Sequence, residues 1–399
     1  MEKKKIEKKF QKFLNKKITR MQFIKYGLAG LAGVTVGGYF LKKIFQGPKS
    51  TVFVGGAPDG LWKWSKEAYH YKKLGENVQC QVCPNECILE ENDRSICRNK
   101  VNKNGKLYTL AYGNPCSVHI DPVEKKPLFH FLPATQTFSI ATAGCNFRCL
   151  NCQNWTISQM QPEDTTNYDL MPEKVVQAAI ENKCPSIAYT YSEPTAFYEY
   201  MYDTSKLAKA NGIKNLWITN GHMNEEPLRD LCKYLDAANV DLKSFKEEIY
   251  NELNSGRLKP ILNTLKVLKE EKKWFEVTNL VIPSWTDDFD MIKEMCNWLV
   301  KNKFGDYPLH FSRFNPLYKL THLPPTPVLT LEKARKIALD EGIKFAYIGN
   351  VPGNIAESTF CPKCGKIVIG RKGYVITENN LKDGHCKFCG EAIAGVWKL

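Results

Sequence analysis

The sequence predicts an α/β fold: a full or partial (β/α) barrel with an N-terminal four-cysteine module and a C-terminal zinc ribbon. Three observations lead there. Between Thr137 and Pro352, short runs rich in β-branched and aromatic residues alternate with amphipathic helical stretches. That alternation is the pattern of a parallel sheet with right-handed crossovers. The fifteen cysteines fall mainly into three tight groups, as metal sites in a reducing setting do and a disulfide framework does not. Polar motifs sit where the strand runs end, which is where (β/α) barrels gather their chemistry.

At 399 residues, with 43% hydrophobic and 25% charged residues, the chain can bury one large core and carry small appendages. Residues 1–46 read as a Lys-rich leader and 47–60 as a Pro/Gly-rich linker. Residues 1–50 hold twelve Lys, one Arg and two Glu, a net +11 of the total +14, so the rest of the chain carries only +3. The body is therefore not a strongly basic nucleic-acid binder. Residues 26–41 are uncharged and Gly-rich and are closed by Lys42 and Lys43. This is slightly short of the roughly 20 residues of a membrane span and close to a signal core. Residues 19–25 resemble a twin-arginine export motif in which Met21 replaces the second arginine. A span, a surface anchor and a cleaved leader all stay open, and the flanking lysines favour membrane association of an otherwise cytoplasmic enzyme.

Residues 61–134 are expected to form the first module. Cys80, Cys83, Cys87 and Cys97 make a compact four-thiol group that would close a tetrahedral zinc or hold an auxiliary iron–sulfur cluster. Residues 135–355 form the core. Strands are expected at 138–143, 186–191, 215–219, 238–243, 275–282, 309–314 and 345–350. Helices are expected at 172–182, 195–210, 227–235, 259–272, 288–301 and 331–341. Cys232 and Cys296 share helical faces with leucine, isoleucine and methionine and read as core packing, as does Cys184 before Pro185. Cys116 lies in a turn-like stretch. Residues 356–399 carry Cys361-Pro-Lys-Cys364-Gly and Cys386-Lys-Phe-Cys389-Gly, two knuckles spaced as in a four-thiolate zinc ribbon.

The central motif follows the first expected strand. Cys145, Cys149 and Cys152 have C-x3-C-x2-C spacing, enough thiolates for three irons of a cubane cluster, with the fourth left open. An electron carrier normally has four thiolates, whereas an open position on a metal suits a bound small molecule.

These thiols, with Tyr191-Ser-Glu-Pro194, Thr219-Asn-Gly221, Asp241-Leu-Lys243, His310-Phe-Ser-Arg313 and Gly349-Asn-Val-Pro-Gly353 at later strand ends, resemble the radical S-adenosylmethionine (radical SAM) core. The chain is similar to the activating enzymes of pyruvate formate-lyase, and closer to the radical SAM enzymes of the AmmeMemoRadiSam system from about Trp62 onward. The resemblance implies a [4Fe-4S] cluster on Cys145, Cys149 and Cys152 whose open iron chelates SAM. It implies SAM contacts from Ser192, Glu193, Asn220, Asp241, Lys243, Gly349, Asn350 and Val351. Tyr191 and Ser192 stand where the family has a glycine pair. Asn151 stands where it has an aromatic residue, with Phe147 and Trp155 as candidate substitutes. Asp121, Glu124, Lys125, Lys126, His130, His310, Arg313 and Tyr318 are further pocket candidates. The implied partners are a ferredoxin or flavodoxin electron donor, a protein or small-molecule substrate and a Memo-like protein. The competing functions are a glycyl-radical activase and a non-catalytic iron–sulfur or zinc module.

Overall fold

The computed structural model describes residues 59–399. The leader, and with it the expectations of a span, an anchor or an export signal, lies outside the described residues. Among the described residues no helix is long and apolar enough to cross a membrane.

Eight strands form the central sheet in chain order: β1 (Ser117–Pro122), β2 (Gln136–Ala141), β3 (Ser186–Tyr189), β4 (Lys214–Thr219), β5 (Ala237–Asp241), β6 (Trp274–Val281), β7 (Leu309–Arg313) and β8 (Ala346–Gly349). Strands β2 to β8 are parallel and β1 is antiparallel to β2. With β1 and β8 as unpaired edges, the sheet is an open, partial barrel; the full barrel that the repeat also allowed is not formed. All seven expected strands are present, with ends displaced by a residue or two. The eighth, β1, was not anticipated. Its sequence, SVHIDP, does alternate polar and apolar residues, but its burial runs against that pattern, with Ile120 exposed and Asp121 buried, and it falls within the stretch expected to be the first module.

Helices α1 (Pro172–Glu181), α2 (Tyr198–Ala210), α3 (Glu225–Cys232), α4 (Leu258–Glu270), α5 (Phe289–Lys301) and α6 (Val328–Asp340) connect the strands. Helix α5 shows why they form. The Asp288 side chain accepts the N–H groups of Asp290 and Met291 at 3.0 and 3.2 Å, satisfying donors that a helix start leaves open. Met291, Ile292, Met295, Cys296 and Leu299 then bury one face. Cys184, Cys232 and Cys296 are buried as expected.

The segment between β1 and β2 plugs the barrel. Val123, Leu128, Phe131 and Leu132 pack on Ala188, Leu216 and Ala237 of β3, β4 and β5. Its backbone is held by Glu276 of β6, a fully buried carboxylate that accepts N–H bonds from Phe129 at 3.0 Å and His130 at 2.7 Å and meets His310 Nε2 at 2.6 Å. Burial works against its charge, but His310 and the other donors outweigh that and hold its pKa below the ordinary carboxylate value.

The C-terminal ribbon seals this end. Cys361, Val368, Cys386 and Ile393 pack on Phe129, Phe345 and Tyr347, and Arg371 donates to the Phe129 carbonyl at 2.7 Å. His130, a pocket candidate from the sequence, is instead buried under the ribbon with Nδ1 2.6 Å from the Ala394 carbonyl. The N-terminal region forms two small antiparallel sheets. It is joined to α2 by Lys100 and Glu199, a fully buried ion pair at 2.6 Å.

Replacing Glu276 leaves the Phe129 and His130 N–H groups buried without acceptors. Glu276→Ala is predicted to cost about 2–5 kcal/mol of unfolding free energy, read as a lower denaturant midpoint with an unchanged slope.

Candidate active site

The loop after β2 carries the three thiols and has little apolar surface of its own, so its neighbours fix it. Gly144 adopts φ +94°, and a Cβ there would lie 2.4 Å from the Cys97 carbonyl oxygen; only glycine fits both demands. Asn85 donates to the Asn146 carbonyl at 2.9 Å, and Asn146 donates to the His222 carbonyl at 2.9 Å. Farther along, the N–H groups of Arg148 and Leu150 bond to the Asn254 and Leu253 carbonyls at 3.0 and 2.9 Å. Phe147 is buried against Gly256, where an added Cβ would meet its ring at 2.4 Å.

So held, Cys145, Cys149 and Cys152 line a cavity of about 750 Å³ at the C-terminal ends of the strands. Burial pushes the Cys149 thiol up to about 11, with Lys243 pulling the other way, and raises Cys145 well above the ordinary thiol value. Metal binding there must therefore displace protons. Asn151 lines the same cavity and its buried Oδ1 has no partner in the protein. Phe147 lies outside the lining, and Trp155 stacks on Tyr318 with ring centroids 5.4 Å apart.

The expected SAM contacts converge on this cavity, except Val351, which is not in its wall. Ser192 is tied back by donating to the Thr142 carbonyl at 2.7 Å. Glu193 accepts from Thr195 N at 2.9 Å, Thr195 Oγ1 at 2.7 Å, Thr219 Oγ1 at 2.8 Å and Asn220 N at 2.8 Å. Burial raises its pKa against those four donors. With both oxygens engaged, this carboxylate staples the end of β3 to the end of β4. Asn220 donates to Asn146 Oδ1 at 2.8 Å, linking that strand end to the thiol loop. Lys243 pairs with Asp241 at 2.6 Å. Burial opposes the lysine's charge, but Asp241 and Cys149 outweigh it and raise its pKa. Gly349 and Asn350 close the far side, with Asn350 at φ +60°.

Among the remaining pocket candidates, Glu124, Lys125, Lys126 and His310 line the cavity, whereas Asp121, Arg313 and Tyr318 do not. Asp121 acts from behind the wall: it pairs with Lys126 at 2.6 Å and Lys125 at 2.8 Å and accepts the Tyr191 hydroxyl. Burial resists its ionisation, but these partners prevail and hold its pKa far below the ordinary carboxylate value. Tyr191 reaches it from a left-handed φ of +63°, a conformation that favours glycine and is costly for a bulky residue. Sequence reasoning missed this network, because Tyr191 looked only like a lost glycine. It also missed Glu357 and Tyr374, which line the cavity from the C-terminal region and carry no local signal.

The ribbon thiols are arranged differently. Cys361 and Cys389 sulfurs are 3.5 Å apart, Cys364 and Cys386 sulfurs 3.8 Å, and all four lie within 4.8 Å of one another. A tetrahedral zinc with Zn–S bonds of about 2.3 Å spaces its sulfurs by about 3.8 Å, so this group fits one ion. Among the described residues it is the only group of three or more potential ligands this tight. Cys145, Cys149 and Cys152 do not gather within 4.8 Å of one another in this way.

Residues 139–299 match the Radical SAM superfamily. The chain is 48% identical over 334 residues to an uncharacterized protein of Methanocaldococcus jannaschii, covering 82% of this chain and 98% of that protein. It is 30% identical over 220 residues to the pyruvate formate-lyase 1-activating enzyme of Escherichia coli K12, covering 51% of this chain and 89% of that enzyme. A solved radical SAM methyltransferase from Sphaerobacter thermophilus aligns with a TM-score of 0.43 at 12% identity, over 73% of this chain and 81% of that one. The chain belongs to the radical SAM superfamily. It is an enzyme of radical SAM type, with relatives among the glycyl-radical activases, and its family implies a [4Fe-4S] cluster and SAM as cofactors.

Gly144→Ala is predicted to weaken the site by forcing the Cys97 segment away from the thiol loop. Iron bound per chain after anaerobic reconstitution should fall at least about twofold, with melting lowered by several degrees, about 1–3 kcal/mol. Retention of full iron content would show that the close approach is dispensable.

Proposed function

We propose that this chain cleaves SAM reductively and turns the resulting radical on a protein or small-molecule substrate in the manner of the AmmeMemoRadiSam enzymes. Cys145, Cys149 and Cys152 would hold three irons of the cluster, leaving one for the amino and carboxylate groups of SAM. The observation that carries this reading is the convergence of these thiols with Ser192, Asn220, Asp241, Lys243, Gly349 and Asn350 on one cavity. The chemistry supplied there when the cofactors are bound is one-electron cleavage of SAM to a 5′-deoxyadenosyl radical, which abstracts hydrogen from the substrate.

The chain's own residues bind, orient and exclude water. Glu193 keeps two strand ends in register, so that Ser192 and Asn220 present polar groups beside the cluster site. Lys243, held charged by Asp241, offers a cation to a carboxylate. On the opposite wall Lys125 and Lys126 are aligned by Asp121 and suit an anionic group of SAM or substrate. Gly349, Asn350 and the neighbouring Val351 would flank the adenine. Glu357, Gly373 and Tyr374 give the C-terminal region a part in bounding the substrate space. Zinc on Cys361, Cys364, Cys386 and Cys389 would keep that wall folded, since a stretch this small buries little core. The electron would come from a ferredoxin or flavodoxin, and a Memo-like protein is a candidate partner.

A second reading, a glycyl-radical activase, is favoured by the 30% identity to the pyruvate formate-lyase 1-activating enzyme over 89% of that protein. The two readings share the SAM cleavage and differ in the acceptor of the radical.

The anaerobically reconstituted wild type with reductant and SAM is predicted to release 5′-deoxyadenosine, resolved by chromatography. Cys145→Ala should lower that release at least about a hundredfold, and equal release by this variant would refute the assignment. A strong chelator is predicted to remove about one zinc per chain and to unfold the C-terminal ribbon, seen as protease cleavage after residue 355. Resistance to the chelator with no zinc detected would refute the zinc assignment.

A further inference from the structure

We propose that Cys80, Cys83, Cys87 and Cys97 hold an iron–sulfur cluster rather than zinc, and that this cluster exchanges electrons with the Cys145 site next to it. The inference rests on the reading above only for the electron's destination; the metal bound by the four thiols does not depend on it.

Cys80 and Cys97 are buried and Cys83 and Cys87 half-buried in one neighbourhood. Cys83 interacts electrostatically with Cys80, Cys97 and Cys87. Ser95 Oγ lies 3.1 Å from Cys97 Sγ, and the backbone at Val82, Asn85 and Ile96 favours negative charge on Cys80, Cys83 and Cys87. Hydrogen bonds to sulfur of this kind tune iron–sulfur clusters.

Spacing separates the metals. One zinc ion draws four sulfurs to about 3.8 Å from one another, and the ribbon thiols of this same chain meet that demand. The N-terminal thiols do not gather within 4.8 Å of one another. In this they are like Cys145, Cys149 and Cys152, which also miss the single-ion spacing and whose family cofactor is a four-iron cluster. Four thiolates leave no iron open, so the site suits electron transfer and not substrate binding.

The position gives the transfer its direction. Asn99 Nδ2 donates to the Ala143 carbonyl at 2.7 Å, and the Cys97 carbonyl fills the space that a side chain at Gly144 would take. The Arg98 guanidinium interacts electrostatically with both Cys97 and Cys145, so one cation neighbours a thiol of each group. Lys100, buried and paired with Glu199, also interacts with Cys80 and Cys97 and favours the added negative charge of a reduced cluster. One electron enters from a low-potential iron–sulfur or flavin protein, which is oxidised by one electron, and leaves to the Cys145 site. No covalent bond forms or breaks at the four thiols.

The test is metal analysis of the full chain carrying Cys145→Ala, Cys149→Ala and Cys152→Ala, prepared anaerobically. It should retain about four irons with matching sulfide, a reduced-cluster paramagnetic resonance signal, and about one zinc from the ribbon. An iron-free protein, with or without a second zinc, would overturn the proposal. In the otherwise unchanged chain, Cys83→Ser with Cys87→Ser should lower iron from about eight to about four per chain. It should also slow SAM cleavage driven by a reduced ferredoxin at least about tenfold. Unchanged iron in this variant would overturn the site, and an unchanged rate would overturn the electron exchange. If the wild type itself does not cleave SAM, the iron counts still decide the metal.

Discussion

Everything in this molecule depends on holding a short loop with three thiols at the mouth of an open sheet. The loop cannot do this alone. Its start is pressed against the Cys97 segment at Gly144, its middle is tied through Asn146 to the end of β4, and its far side is bonded to residues 253 and 254. Each support comes from a different part of the chain, so the site exists only when the partial barrel and the N-terminal region are both assembled.

The same logic explains the buried charges. Glu276, Glu193, Glu199 and Asp121 are all nearly or fully buried, and all are engaged by buried donors or cations. Such groups give little net stability but are costly to leave half satisfied, which makes them good fasteners. Glu276 fastens the plug, Glu193 the strand ends, Glu199 the N-terminal region and Asp121 the lysine wall.

Much of this was legible in the sequence. The three cysteine groups could be read because metal ligands close together in sequence leave a fixed spacing. The seven parallel strands could be read because apolar periodicity is a local signal. Cys232 and Cys296 were recognised as core for the same reason. What stayed hidden depends on distant partners. Strand β1 buries Asp121 and leaves Ile120 exposed, the reverse of what its residue types suggest, and His130 points under a ribbon more than two hundred residues away. Glu276 is one acidic residue in an apolar strand until its partners are known. Tyr191 looked like a departure from a glycine pair, and its left-handed backbone and bond to Asp121 appeared only with the fold. Sequence spacing also left the metal at Cys80, Cys83, Cys87 and Cys97 open, because it does not report the separation of the sulfurs.

The central claim is an open iron at Cys145, Cys149 and Cys152 that takes SAM directly. The most direct measurement is electron–nuclear double resonance of the reduced protein with SAM labelled with nitrogen-15 at its amino group. The account predicts a nitrogen coupling to the cluster that appears with SAM and is absent from the variant lacking the three thiols. A reduced cluster that shows no coupling to bound SAM would contradict it.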